Sequence, residues 1–163
     1  MSLDAAQRRA LLSSPAGWLA LGLGAGLSPW APGTVGSLAA LLPWLALRQL
    51  PWPGYLAVLV LAFVLGVWAC GKAGKAIGVA DHGAYVWDEF VGQWLALLPC
   101  LWLPGWWWVA LSFGLFRLFD ILKPGPVGWA DRACHGGFGV MLDDALAGLM
   151  AALTLALAIA WLA

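Results

Sequence analysis

Residues 140–153 read VMLDDALAGLMAAL, in which two adjacent carboxylates, Asp143 and Asp144, open a long apolar run. The run continues to residue 163 without another charged side chain. An ionised group beside lipid hydrocarbon costs about 3 kcal/mol on insertion scales, and such residues are usually kept for a function. The stretch therefore predicts a membrane helix with a polar site near its start.

A similar arrangement occurs earlier in the chain, where Asp88 and Glu89 also open an apolar stretch. A glycine follows one turn later in both places, Gly92 after Asp88 and Gly148 after Asp144. Residues at i and i+4 share one face of a helix, and small residues allow helices to approach closely. Either the repeat brings the two acid pairs together, or it is a coincidence of glycine-rich membrane helices.

The composition places the chain among integral membrane proteins. Of 163 residues, 63% are hydrophobic and only 10% are charged, against roughly 25% in a soluble domain. Acids and bases balance at eight each, so the chain lacks the basic surface typical of nucleic-acid-binding proteins. We expect a single membrane domain over residues 1–163, in which residues 1–16 form a cytoplasmic tail held by Arg8 and Arg9.

Hydropathy predicts an all-α fold, a polytopic bundle of about five short membrane segments. The first two apolar spans cover residues 34–47 and 55–70. The polar stretch 71–87 follows with Lys72 and Lys75, and the positive-inside rule places it in the cytoplasm.

The next apolar stretch, residues 88–119, is interrupted by Pro104 and Gly105. It either crosses the membrane once or turns back there as a hairpin. We prefer the hairpin, because it keeps Arg117 on the cytoplasmic side. A polar loop over residues 123–139 and a last helix from Val140 complete five segments, with every polar motif on the cytoplasmic face.

Four carboxylates are the candidate metal ligands: Asp88, Glu89, Asp143 and Asp144. Mg²⁺ prefers one or two carboxylates together with water and phosphate oxygens. Adjacent acids on a helix point about 100° apart, so we expect one of each pair to bind the ion and its neighbour to lie behind it or to bind another ion. The helix dipole also favours acids at helix starts, but it accounts less well for two pairs plus Asp120.

Basic side chains alternate with these acids and indicate phosphate binding. Arg117 and Lys123 are the main candidates, although Arg117 and Asp120 are also spaced to pair with each other. His135 is a candidate acid or base. Asp81, Asp131 and Arg132 are secondary candidates. A cysteine-phosphatase site at Cys134 is not expected, because the position six residues later is valine and not arginine.

The glycine-rich segment 22–37 supplies the hydroxyl groups of Ser28, Thr34 and Ser37 just before a predicted helix. It lacks the lysine of a phosphate-binding P-loop and no strand precedes it, so neither nucleotide fingerprint applies. A helix start with free N–H groups is an anion site, and these three residues are therefore predicted to contact phosphate.

Taken together, these blocks resemble the bacterial phosphatidylglycerophosphatase A family. The resemblance extends from Gly22 to about Gly148 and rests on four ordered blocks, supplemented by Asp131 and by the triplet HGG at 135–137. The four blocks are GLSPWAPGTVGS (26–37), DHGAYVWDEFVG (81–92), FRLFDILKP (116–124) and LDDALAG (142–148). No charged motif position departs from the family pattern, and only the tryptophan-rich stretch 102–108 looks particular to this chain.

The resemblance implies a magnesium-dependent lipid phosphatase of the bacterial inner membrane, with its active site facing the cytoplasm. It would hydrolyse phosphatidylglycerol phosphate to phosphatidylglycerol and phosphate, the last step of that lipid's synthesis. Its partners would be this substrate and membrane lipids. On this hypothesis the catalytic residues are Asp120, Asp88, Asp144 and His135, and the attacking group is water or Asp120.

Two other function classes remain open. A small transporter would use the acids as a proton or cation relay, but transport sites usually lie near the membrane midplane. A non-catalytic scaffold would explain the apolar helices but not the concentration of acids and bases. The sequence does not determine the number of metal ions, the acyl preference or the oligomeric state.

Overall fold

The computed structural model describes residues 3–162. The first two residues of the predicted cytoplasmic tail and the last residue of the predicted domain lie outside them. This part of the chain contains helices and no strands, which confirms the all-α prediction. The helices are α1 (Ala5–Leu12), α2 (Pro15–Ala20), α3 (Pro32–Ala39), α4 (Leu41–Leu47), α5 (Trp52–Ile77), α6 (Trp87–Ala96), α7 (Trp106–Leu122), α8 (Pro126–Ala133) and α9 (Gly136–Leu162).

Within the described residues, two helices are long and apolar enough to cross a membrane. They are α5 and the stretch Gly136–Trp161 of α9. At about 1.5 Å per residue, each spans the roughly 30 Å of a bilayer core. The other apolar helices are shorter, so length and composition support two of the five predicted segments.

Helix α5 continues seven residues past its predicted end at Cys70, because lysine and alanine are good helix formers. It ends only at Gly78, whose φ of 72° provides the left-handed C-cap. Lys72 and Lys75 consequently lie on the last turns of α5, and the predicted polar loop 71–87 is shortened to residues 78–86.

Local capping signals create three short helices that hydropathy did not predict. Asp4 and Gln7 form a capping box at the start of α1, and Ser14 caps α2. The predicted tail is therefore largely helical. In the predicted loop 123–139, Pro126 occupies the first turn of α8, and α9 already begins at Gly136.

The first predicted apolar span, residues 34–47, is divided into α3 and α4. The two helices are separated at Ala40. Pro43 lacks the N–H that would bond back to Ala39 in a continuous helix, and its ring opposes that carbonyl. The separation follows from this missing bond.

The chain reverses direction between α6 and α7, as the predicted hairpin requires. Arg117 near the end of α7 lies 3.9 Å from Glu89 at the start of α6, measured between Nη1 and Oε1. A single crossing would have placed these side chains at opposite ends. Trp106 and Trp107 are exposed at the far end, where α7 begins.

Helices α6 and α9 form the centre of the bundle. α9 packs against α5, α6, α7 and α8. α6 is tied to its neighbours by buried hydrogen bonds: the indole N–H of Trp87 donates to the Ala62 carbonyl at 2.9 Å, and that of Trp94 donates to the Ala40 carbonyl at 2.8 Å. The Tyr55 hydroxyl donates to the Trp94 carbonyl at 2.6 Å. These bonds hold the acidic start of α6 at the same end of the bundle as the start of α9.

Candidate active site

Two glycines allow α6 and α9 to cross in close contact. A Cβ at Gly92 would lie 2.6 Å from the Phe116 ring and 2.7 Å from the Asp144 carbonyl oxygen. A Cβ at Gly148 would collide with the backbone of Gly92. The predicted glycine repeat is therefore the contact point of the two helices, and it brings their acidic starts together.

Three carboxylates meet just above this crossing. One oxygen from each of Asp88, Glu89 and Asp144 lies within 4.8 Å of the others. Asp88 is 9% exposed and Asp144 4%, and two of the oxygens, Glu89 Oε2 and Asp144 Oδ2, are buried without a hydrogen-bond partner in the described part of the chain. Three crowded acids with unsatisfied oxygens need a positive charge, and a set of oxygen donors suits a hard divalent cation. The residues present fit Mg²⁺.

Arg117 connects this carboxylate cluster with α3. Its Nη1 lies 2.7 Å from Asp120 Oδ2 and donates to Ser37 Oγ at 3.3 Å. The Ser37 hydroxyl in turn donates to the Gly33 carbonyl at 2.8 Å. Asp120 also lies close enough to Asp144 and Glu89 to interact with both. The pairing of Arg117 with Asp120 that the spacing allowed is therefore present, within a larger network.

Lys123 organises a second group beside the cluster. Its Nζ donates to Asp143 Oδ2 at 2.6 Å and also to Asp131 Oδ1. Burial alone would lower the pKa of Lys123, but these hydrogen bonds and the two negative charges raise it above its ordinary value. Asp143 thus contacts Lys123 and lies outside the three-carboxylate cluster. Of the pair 143–144 only Asp144 joins the cluster, whereas Asp88 and Glu89 both join it.

The start of α3 faces the cluster through Gly33. A Cβ at this position would collide with Glu89 Oε1 and lie 3.2 Å from Arg117 Nη2. Thr34 follows, partly buried, in the same first turn. Ser28 lies farther away: its hydroxyl donates to the Trp30 carbonyl at 2.8 Å and accepts from the Trp30 N–H at 3.3 Å.

Other predicted residues lie around a separate small cavity. It has a volume of about 120 Å³, and its lining includes Asp81, Asp131, Cys134, His135 and Asp143. His135 is exposed, and its Nδ1 lies 3.3 Å from the Ala133 carbonyl oxygen. The secondary candidate Arg132 is exposed on α8. The structure therefore does not bring these residues into the carboxylate cluster.

The sequence interpretation missed two residues that shape the site. Gly33 provides the space for Glu89 and Arg117. His82 is 4% exposed, and its Nδ1 accepts the Ala84 N–H at 3.1 Å within the loop leading to α6. Burial lowers the pKa of His82, which favours the neutral imidazole. The signal in the sequence that could have identified His82 is its position within the block 81–92, next to Asp81.

Residues 18–159 match the family model described as Phosphatidylglycerophosphatase A. This chain belongs to the phosphatidylglycerophosphatase A family. The resemblance predicted from the four sequence blocks is confirmed, and all four blocks contribute residues around the carboxylate cluster. Members of the phosphatidylglycerophosphatase A family are phosphoric monoester hydrolases, and so is this chain.

Curated relatives cover most of the chain. It is 47% identical over 151 residues to "Phosphatidylglycerophosphatase A" of Escherichia coli (91% of this chain, 86% of the relative). It is 46% identical to the protein of the same name from Haemophilus influenzae (86% of each). It is 42% identical to a "Putative phosphatidylinositol-3-phosphatase" of Bacteroides thetaiotaomicron (84% of this chain, 89% of the relative). No solved structure matches the chain.

Proposed function

We propose that this chain is the Mg²⁺-dependent phosphatase that hydrolyses phosphatidylglycerol phosphate to phosphatidylglycerol and phosphate, the last step of that lipid's synthesis. The observation that carries the proposal is the buried three-carboxylate cluster with Arg117 beside it. A cation site next to a guanidinium is suited to a phosphate group. Two relatives named phosphatidylglycerophosphatase A support the choice of substrate.

Asp88, Glu89 and Asp144 would hold the Mg²⁺ ion. When bound, the ion would offset the charge that develops on the phosphate oxygens during hydrolysis. Asp143, which contacts Lys123, would support the site by holding that lysine in place. This arrangement assigns different roles to the two members of the pair 143–144.

The chain's own cations and hydroxyl groups would hold the phosphate. Arg117 would reach it from α7, Lys123 from the residue after α7, and Thr34 from the first turn of α3. Ser37 would instead support Arg117, because its fully buried hydroxyl donates to the Gly33 carbonyl and accepts from that arginine. Charge-assisted hydrogen bonds from such groups are about twice as strong as neutral ones. Ser28 would act farther out, because its hydroxyl is engaged with Trp30.

Hydrolysis forms a bond from water oxygen to phosphorus and breaks the bond to the glycerol oxygen, which then takes a proton. Asp120, paired with Arg117 at the edge of the cluster, would accept the proton of the water. Alternatively, Asp120 would attack phosphorus itself and displace the glycerol oxygen, and water would then hydrolyse the aspartyl phosphate to release phosphate. His135 remains a candidate for returning the proton to the leaving oxygen, from the neighbouring cavity. A proton-transfer group must lie within hydrogen-bond reach, directly or through one water.

We place the protein in the inner membrane as five segments, with the site at the cytoplasmic face. The two long apolar helices support membrane insertion, and the hairpin of α6 and α7 supports the return of Arg117 to the side of Asp88. Asp88 and Glu89 lie in the first turn of α6, and Asp120 lies near the end of α7, whereas Asp144 lies eight residues into α9. The position of the first three acids at helix ends argues against the transporter alternative, whose sites usually lie near the midplane.

The test is phosphate release from phosphatidylglycerol phosphate by purified protein, with Mg²⁺ and with a chelator. We expect activity that chelation abolishes and Mg²⁺ restores. Asp88→Asn and Asp144→Asn should lose activity, whereas Asp4→Asn should keep it, because Asp4 only caps α1 and asparagine also caps helices well. Full activity in the chelator, or in Asp144→Asn, would contradict the proposal. Phosphatidylinositol 3-phosphate serves as the comparison substrate, because the Bacteroides thetaiotaomicron relative is named a putative phosphatidylinositol-3-phosphatase.

A further inference from the structure

A second cavity adjoins the carboxylate cluster on the side of α3. It has a volume of about 490 Å³, within the range of small-molecule sites. Its lining includes Arg8 of α1, Ser28 and Pro32 of the connection before α3, and the backbone positions Gly26 and Gly83. Because three separate stretches of chain form its walls, it is a feature of the fold and not of one loop.

The first turn of α3 borders both the cavity and the cluster. Pro32 lines the cavity, and the next residue, Gly33, faces Glu89 and Arg117 directly. Consecutive Cα atoms lie 3.8 Å apart, so the two sites meet adjacent residues of the same helix start.

The charge of the cavity is positive. Arg8 contributes a guanidinium, and no carboxylate belongs to the lining. Within residues 3–162, Arg8 has no ion-pair partner. Guanidinium groups bind phosphate oxygens in a bidentate geometry, so the ligand class that suits this cavity is a phosphate ester.

We propose that Arg8 and this cavity bind the phosphodiester of the lipid headgroup while the cluster holds the terminal phosphate. The inference rests on the proposed function, whose substrate carries both groups, joined by glycerol. A phosphate monoester lipid without the phosphodiester would use the cluster alone. Arg8 is then a specificity-determining residue for the headgroup and not a catalytic one.

The test compares Arg8→Gln with Arg9→Gln, both exposed on α1. Arg9 carries the same charge and shares a surface hollow with Arg8, Ala5, Leu12 and Ser13, but it does not line the cavity beside α3. Glutamine is as good a helix former as arginine, so α1 should persist in both variants. The ligands are dioctanoyl phosphatidylglycerol phosphate and dioctanoyl phosphatidic acid, the latter lacking the phosphodiester, in neutral detergent micelles with Mg²⁺. Wild type and both variants carry Asp120→Asn in this measurement, so that the lipid is not hydrolysed. Dissociation constants come from the concentration dependence of the shift in melting temperature.

Arg8→Gln should weaken binding of phosphatidylglycerol phosphate about tenfold, as expected for loss of a charged hydrogen bond. Its affinity for phosphatidic acid should stay within about twofold of wild type, and Arg9→Gln should resemble wild type with both lipids. Equal losses in the two variants, or equal losses for both lipids, would overturn the proposal, as would absence of binding to wild type.

Phosphate release by the wild-type protein separates this inference from the proposed function. Binding that depends on Arg8 without phosphate release would refute the function and leave the headgroup site standing. Phosphate release that is indifferent to Arg8 would refute the headgroup site alone.

Discussion

Asp143 and Asp144 are neighbours in sequence, but their surroundings differ because adjacent helical side chains point in different directions. Asp144 joins Asp88 and Glu89 with an unpartnered buried oxygen. Asp143 instead accepts a hydrogen bond from Lys123. At the scale of residues, the site therefore consists of a three-carboxylate cluster and a lysine group beside it.

This division predicts different metal dependence for two variants. Asp144→Asn should raise the Mg²⁺ concentration needed for half-maximal binding by at least about tenfold, because loss even of a residue that supports a ligand costs about 10- to 100-fold. Asp143→Asn should leave that concentration near the wild-type value, since Asp143 does not face the cluster. Mg²⁺ titration monitored by the melting temperature measures both, and an equal shift in the two variants would show that both acids bind the ion.

A second prediction at this scale concerns the kinetics of a variant at Arg117. Arg117→Lys keeps the charge, but a single ammonium cannot reach Asp120, Ser37 and a phosphate with the same planar geometry. We expect kcat/KM to fall about 10- to 100-fold, corresponding to roughly 1.5–3 kcal/mol for a hydrogen bond to a charged group. Steady-state kinetics on phosphatidylglycerol phosphate check this prediction. If Arg117→Lys had the same kcat/KM as the wild-type protein, a positive charge at this position would be sufficient for activity.

At the scale of elements, the crossing of α6 and α9 determines whether the acids meet. Gly92→Ala would place a methyl group against Phe116 and the Asp144 carbonyl. Overpacking of this kind costs about 1–3 kcal/mol, and the displaced helices should also bind Mg²⁺ more weakly. Gly114→Ala in α7 is the matched control, because no atom lies within 4 Å of its added Cβ.

The control should be neutral or more stable by up to about 1 kcal/mol, since alanine favours a helix over glycine. Thermal unfolding of both variants, with and without Mg²⁺, separates the two expectations. A Gly92→Ala protein with the stability and Mg²⁺ response of wild type would mean that the close crossing is not required.

The sequence was sufficient to predict some of the features that depend on hydropathy and charge. The α6–α7 hairpin was the preferred alternative, whereas the meeting of Asp88 with Asp144 and the pairing of Arg117 with Asp120 were each one of two alternatives that such patterns left open. It was not sufficient for α1, α2 and α8, whose few residues are ordered by caps and by tertiary contacts and not by a long apolar run. The environments of Gly33 and Asp143 depend on how separate helices pack, which no local pattern contains.

At the scale of the whole molecule, the charges are distributed very unevenly. Seven of the eight acids lie between residues 81 and 144, and the bases other than Arg48 lie on α1, at the end of α5 or between residues 117 and 132. Arg48 lies at the other end, 4.9 Å from the centre of the Trp44 ring. Positive residues collect on the cytoplasmic side of membrane proteins, so the cluster end should face the cytoplasm.

Cysteine labelling tests this orientation. Cys134 is partly exposed at the cluster end, whereas Cys70 and Cys100 are buried. A membrane-impermeant maleimide should label Cys134 in inverted vesicles and not in intact cells. Gln49→Cys in a Cys134→Ser background should show the opposite pattern, because Gln49 is exposed beside Arg48. Labelling of both positions from the same side would contradict the arrangement.

Helix α9 supplies Asp144 and packs against four other helices, yet it is translated after all of them. A ribosome that has delivered only α1–α8 to the bilayer has made a polypeptide with Asp88 and Glu89 in place but without their third partner. Nascent protein should therefore remain inert until this final segment inserts, and turnover should begin only after synthesis has passed Gly148.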